Sequence, residues 1–300
     1  MAMLVAACSN DFLDRLPQDT LLDTYFYQND DQVLAGTALL YTNAWKGYID
    51  KANYVIGDFL GGTSFCRYCN RDVVEFKVTE VSDRSEDAYK GFFSVVAQAN
   101  TVIYNINKYA GKAVTNRVKN HALAEARFMR ATAYTLLVMN YGDVPIIENN
   151  LEHLGKPDLR KNEEASVWEF IRRDYEYASE NLMETPSQVG RLTKWSAEGM
   201  LARTYLTLAC VESSSGVRKQ EYLDKAKEYA LNVINFSGKS LMDNYEDLFK
   251  YPYDNNNESL FELQWVYSTS AARAHFTLWR SMSRASSSAF LWVASSSGLR

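Results

Sequence analysis

His121–Pro145, HALAEARFMRATAYTLLVMNYGDVP, is the stretch whose reading decides the fold. Ala122, Ala126, Met129, Ala133 and Leu136 recur at i, i+3/i+4 steps and so share one helix face. Leu123, Phe128, Leu137 and Val138 widen that face until the second half is apolar nearly all round. Such a helix is buried among others and does not lie on a surface. Gly142 stands where a left-handed cap is wanted, and Pro145 prevents the helix from restarting. The alanines let neighbouring helices approach closely, with Tyr134 and Tyr141 filling the space beyond. Into this apolar setting the sequence puts Glu125, Arg127 and Arg130. A buried charge must be paired, so one arginine is expected to meet Glu125 or a carboxylate on a neighbouring helix. Such a group is a structural clamp. Read as a catalytic carboxylate it would need a nucleophile or a metal-ligand cluster beside it, and neither is there.

Outward from this stretch the helical pattern repeats. Upstream, Asp83 to about Tyr109 carries Tyr89, Phe92, Phe93, Val96, Asn100, Ile103 and Ile106 or Asn107 on one stripe. Before it, Asp30 or Asp31 can cap a helix to about Asp50, with Val33, Leu34, Ala38, Tyr41 and Trp45 inward. Downstream, Asn162 is read as the cap of a helix from Glu163 to about Met183, with Val167, Phe170, Ile171, Asp174, Tyr175, Ala178 and Leu182 in step. Further helices run from Thr193 or Ser196 to about Val211 and from Tyr222 to Phe236. Ser259–Tyr267 (SLFELQWVY) reads as a strand by its bulk and alternation. Ala131-x-x-Tyr134 and Ala202-x-x-Tyr205 lie 71 positions apart, close to twice the roughly 34-residue tetratricopeptide period. Ala226-x-x-Tyr229 repeats the same step. The expected fold is mainly α: tetratricopeptide-like antiparallel helix pairs in a right-handed superhelical scaffold, with a few short strands and long loops.

Composition narrows the function. A formal charge of −5 argues against nucleic-acid binding, which calls for a basic face. Four cysteines, Cys8, Cys66, Cys69 and Cys210, are too few for a disulfide scaffold. Cys66-x-x-Cys69 lies in an irregular stretch, Gly57–Phe76. It could be a zinc half-site, a redox pair or a local disulfide. No second Cys/His pair accompanies it and no βαβ context surrounds it, so two plain loop cysteines are expected. There is no phosphate-binding Gly-rich loop, G-x-S-x-G elbow or H-E-x-x-H. No catalytic residue, metal or cofactor is assigned, and the chain is not expected to be an enzyme. No apolar run reaches transmembrane length.

Val5-Ala6-Ala7-Cys8 has the bulky-small-small-Cys form of a bacterial lipoprotein processing site, preceded by an apolar segment too short for a full signal peptide. Ser9-Asn10-Asp11-Phe12-Leu13-Asp14 and Pro17 follow. With these, Ala124-Glu125-Ala126-Arg127-Phe128, Arg130-Ala131, Tyr134 and Tyr141-Gly142-Asp143-Val144-Pro145 resemble the SusD/RagB family. So do Asn105-Ile106-Asn107, Ser166–Asp174, Gly190-Arg191-Leu192-Thr193-Lys194 and Asn257–Glu262, in order from about Cys8 to Tyr267.

The resemblance implies a lipid-anchored outer-membrane protein, acylated at Cys8 and exposed at the cell surface. It would bind oligosaccharides or other nutrients and hand them to a SusC-like TonB-dependent transporter, touching the membrane only through its lipid. The competing readings are a tetratricopeptide-like scaffold for a protein partner and a glycan-active enzyme. The expected organisation is a truncated signal peptide and lipidation site at 1–8 and a helical domain at 9–239. The start of a C-terminal region follows at 240–267. Beyond it lies a truncated or aberrant tail at 268–300, which lacks Asp and Glu altogether.

Sugars present flat C–H faces and many hydroxyls, so their sites pair aromatic platforms with a few polar groups. The helices bury their aromatics, which leaves loops as candidate sites. Phe65, Arg67, Tyr68 and Asn70 form one set; Tyr251, Tyr253 and Asn255 form the other.

Overall fold

The structure, a computed structural model, describes residues 23–66, 68, 70–79, 82–156, 158–186, 188–211, 216–250 and 253–263. Three short helices, α1 (Asp23–Phe26), α2 (Asp30–Gly36) and α3 (Arg71–Val74), precede five long ones. These are α4 (Asp83–Tyr109), α5 (Asn116–Tyr141), α6 (Glu164–Asn181), α7 (Lys194–Val211) and α8 (Gln220–Phe236). Each long helix packs chiefly on its neighbours in the chain. The result is a superhelical stack of helix pairs, and one apolar core runs through it.

The central helix is buried as its sequence demands. From His121 to Val138 every residue of α5 except Arg127 and Leu136 is buried. Thr115 caps it, its hydroxyl accepting the Val118 N–H, and Gly142 closes it with a positive φ of 66°. The small-then-tyrosine steps of α7 and α8 meet one another: Tyr205 and Tyr229 stack at 5.8 Å with their planes 14° apart.

Four expectations need correction. The helix expected from Asp30 to about Asp50 ends at Gly36 and gives way to 3-10 turns at Ala38–Tyr41 and Asn43–Trp45. Two π-helical turns follow, at Tyr48–Ala52 and Val55–Phe59. At the break the Thr37 N–H donates to the Leu34 carbonyl at 3.3 Å, closing a tighter turn, and Arg191 Nη2 also donates to that carbonyl at 2.9 Å. The cap of α2 is Asn29, not an aspartate; Asp30 instead accepts the Thr115 N–H and hydroxyl at the start of α5. Asn162 does not cap α6. It forms an antiparallel bridge with Val144, and Asp143 accepts the Glu164 N–H at 2.9 Å.

The fourth correction concerns strands. Residues 259–263 form none, and the remainder of that expected strand lies outside the described residues. The Leu260 carbonyl accepts from the Ser196 hydroxyl at 2.7 Å, and Phe261 seats its ring edge-to-face against Tyr41 and Phe128. The segment is held by side chains of the helical stack. β pairing among the described residues is confined to isolated bridges such as Val144–Asn162.

Candidate functional site

The charged residues of α5 are at the centre of two separate networks. Glu125, fully buried, receives Arg191 Nη1 at 3.0 Å on Oε1 and 2.9 Å on Oε2. The Tyr41 hydroxyl donates to Oε1 at 2.5 Å and the Thr37 hydroxyl to Oε2 at 2.6 Å. His121 Nε2 stands 3.5 Å from Oε1, while its Nδ1 accepts the Met183 N–H. Burial alone would push the Glu125 carboxyl up. The His121 imidazole, the Arg191 charge and the Thr37 hydroxyl outweigh burial and hold it below its ordinary value. Burial and the adjoining carboxylate raise the Tyr41 hydroxyl well above the usual tyrosine value. The Tyr41 hydroxyl also accepts the Leu192 N–H at 3.2 Å. This cluster therefore joins the N-terminal turns, α5 and the approach to α7 at one point.

Arg130 belongs to the second network. Its Nε and Nη2 bind Asp174 of α6 at 2.7 and 2.9 Å, and Nη1 donates to Asn100 of α4 at 2.7 Å. Asn100 in turn donates to the Ile147 carbonyl at 2.7 Å. Asn150 donates to the Ala97 carbonyl, so the chain leaving α5 is tied back onto α4. Arg127 approaches Asp174 at 3.6 Å and lies over the Tyr177 ring, 4.1 Å from its centroid. Glu125 and the arginines of its own helix thus have different partners. The partners themselves, Arg191 and Asp174, carry a signal in the sequence. Asp174 interrupts an apolar stripe, and Arg191 follows a glycine at a helix start. The hydrogen bonds of both networks join helices and turns to one another.

The loop candidates are of another kind. Phe65 is 75% exposed and Tyr68 91% exposed. Asn70 adopts a left-handed φ of 46°, and its carbonyl accepts the Val73 and Val74 N–H groups that open α3, so its backbone shapes the loop. Beneath lies a small separate cluster of Val55, Phe59 and Val73, against which Cys66 packs. The plain-cysteine expectation fails at Cys66, which is disulfide-bonded, whereas Cys210 is free and exposed. In the second loop Tyr253 is exposed and Asn255 is left-handed at φ 56°, its N–H donating to Glu262. That loop is held against the chain after α8, where the Ser240 N–H donates to the Asn257 carbonyl. The two loops are anchored on different elements. Cys8, Arg67, Tyr251 and the tail 268–300 lie outside the described residues. Among the described residues no group of three or more His, Cys, Asp or Glu could hold a metal ion, and no helix is long and apolar enough to cross a membrane.

Comparison with known proteins places this architecture. Residues 11–206 match a family model of SusD-like proteins described as starch-binding, associating with the outer membrane. A SusD-like protein of Bacteroides ovatus is 40% identical over 265 residues, covering 88% of this chain and 48% of the relative. A crystal structure 39% identical superposes with a TM-score of 0.76 over 80% of this chain and 47% of its own. Another, 38% identical and solved with xylogluco-oligosaccharide, gives 0.73 over 78% of this chain and 46% of its own. The chain spans about half the length of the relatives it matches. By the extent of the match and the helical scaffold that accompanies it, the chain belongs to the SusD-like family.

Proposed function

We propose that this chain is the helical part of a surface glycan-binding lipoprotein that captures oligosaccharides for uptake. The single observation that carries the reading is its likeness, at 38% identity and a TM-score of 0.73, to a structure solved with xylogluco-oligosaccharide. In this reading Cys8 carries the lipid, and captured glycan passes to a SusC-like TonB-dependent transporter. Phe65, Tyr68 and Tyr253 are side chains a sugar face could stack on, and Arg67, Asn70, Tyr251 and Asn255 would add the rest of the contacts. The disulfide at Cys66 fits an oxidising compartment outside the cytoplasm.

Titration calorimetry of the chain against xyloglucan, laminarin and starch oligosaccharides tests the reading. Saturable heat with at least one of them supports it. Heats of dilution with all of them, from protein shown to be folded by its helical spectrum, would refute glycan capture by this part.

A further inference from the structure

After α8 the chain returns to the helical stack through an irregular segment shaped by its own turns. The Asn256 side-chain oxygen accepts the Glu258 and Ser259 N–H groups at 2.9 and 3.1 Å, and Glu262 accepts the Asn255 N–H at 3.0 Å. Glu258 accepts the Met242 N–H at 3.0 Å, which ties the segment to the chain leaving α8. What the segment presents to the stack is Leu260 followed by Phe261. Leu260 lies against α7 where Ser196 and Gly199, three positions apart, share one helix face. The Ser196 hydroxyl donates to the Leu260 carbonyl at 2.7 Å. A Cβ on Gly199 would stand 2.8 Å from Leu260 Cδ1, so the bare glycine makes room for that side chain. Phe261 then enters between two rings, its centroid 6.1 Å from that of Tyr41 and 5.7 Å from that of Phe128.

Tyr41 is the contact with a consequence. Its hydroxyl donates to Glu125 and accepts the Leu192 N–H, and the Arg191 guanidinium lies 5.6 Å from its ring centroid. We infer that Tyr41, Phe128, Ser196 and Gly199 form a docking slot for an extended peptide, that Ser259–Leu263 is its occupant, and that Phe261 is the positioning residue that keeps Tyr41 on Glu125 and Leu192. An edge-to-face neighbour fixes a ring's orientation as well as burying its area. With Phe261 withdrawn, the Tyr41 ring can leave its rotamer, and its two hydrogen bonds open together. Seating of the segment that follows α8 is thereby coupled to the N-terminal turns and to the charge clamp of α5, although these lie far apart in sequence. The coupling stands independently of the glycan-binding reading.

Amide hydrogen exchange of the full chain, read by mass spectrometry, tests the inference. In Phe261→Ala, exchange of the Leu192 N–H and of the turn at Ala38–Tyr41 should accelerate at least roughly tenfold, with α6 exchanging as in wild type. Phe261→Tyr, which keeps the ring, should restore most of the protection. Gly199→Leu reaches the slot from its other side. It places a good helix former in α7 and touches neither Tyr41 nor Phe261, yet by displacing Leu260 it should produce the same local pattern. Wild-type exchange at Leu192 in both Phe261→Ala and Gly199→Leu would overturn the inference, because Tyr41 would then be held without the segment. Acceleration spread evenly over α5, α6 and α7 would overturn it too, since that marks a general loss of stability and not the release of one side chain. Acceleration in Phe261→Ala alone would reject the α7 side of the slot.

Discussion

Arg191 sets one guanidinium nitrogen within 3.0 Å of both carboxylate oxygens of Glu125, across 66 positions of sequence and inside the core. The same side chain reaches the Leu34 carbonyl through its other terminal nitrogen, so one residue connects three stretches of chain that lie far apart in sequence. Removing either partner leaves the other's charge uncompensated in a largely desolvated setting, since Glu125 is fully buried and the Arg191 side chain is 10% exposed. Glu125→Ala and Arg191→Ala should each cost about 3–5 kcal/mol of unfolding free energy. The double variant should lose less than the sum, because the second change relieves the charge stranded by the first. Urea unfolding of the three variants checks this; additive losses would show that the two side chains are not coupled.

The protonation of Glu125 makes the clamp sensitive to acid. Its carboxyl is held below the ordinary value in the folded state, whereas the unfolded chain titrates near the usual ~4.3. The folded protein therefore binds this proton less readily. The contribution is complete above the unfolded value and is lost as pH falls through the lower, folded one. Unfolding free energy followed from pH 7 to pH 3 should decline at the acid end, and Glu125→Gln should flatten that limb. Parallel acid limbs would mean that the carboxylate is not depressed.

Arg130 is predicted to resist its conservative replacement. A lysine ammonium cannot hold both oxygens of Asp174 and reach Asn100 as the planar guanidinium does. Arg130→Lys should cost about 1.5–3 kcal/mol. Arg127→Lys, on the same helix but with its side chain 35% exposed and 3.6 Å from Asp174, should cost less than Arg130→Lys. Thermal melts of both variants decide it; equal shifts would remove the distinction between the two arginines.

These networks also mark where the sequence stopped being readable. The course of α4 and the buried character of α5 follow from periodicity, because apolar spacing is a local signal. Asn100 and Asp174 stand within apolar stripes, and that misfit is a visible sign that each has a buried partner. Which partner cannot be read, because pairing across 30 or 44 positions is set by how the helices stack. The helix expected to about Asp50 failed for a related reason. Its apolar spacing is adequate, but the chain tightens at Thr37, whose N–H donates to the Leu34 carbonyl, and the contact that Arg191 adds there comes from 157 positions away. Phe65 and Tyr68 belong to no helical stripe, which makes them candidates for exposure without deciding it, and both stand out in the structure. The disulfide at Cys66 is not legible, because the Cys66-x-x-Cys69 spacing fits a zinc half-site, a redox pair, a local disulfide or two plain loop cysteines equally well.

Close backbone approach yields a further prediction. A Cβ on Gly91 would lie 2.6 Å from the Tyr48 nitrogen and 3.0 Å from the Gly47 carbonyl carbon, both backbone atoms that cannot swing aside. Gly91→Ala should therefore destabilise by about 1–3 kcal/mol despite alanine's better helix propensity. Circular dichroism melts would show it as a lowered Tm. An unchanged or raised Tm would mean that the π-helical turn can move away from α4 at little cost.

The central claim is that the buried charges of α5 build the scaffold while exposed aromatics on its loops capture glycan. Paired titrations of wild type and Tyr68→Ala with xylogluco-oligosaccharide, each with its melting temperature, test it most directly. Loss of one stacking platform should weaken affinity roughly tenfold with Tm unchanged, because Tyr68 is 91% exposed. Saturable binding of equal affinity in both proteins would contradict the account and move the glycan away from this loop.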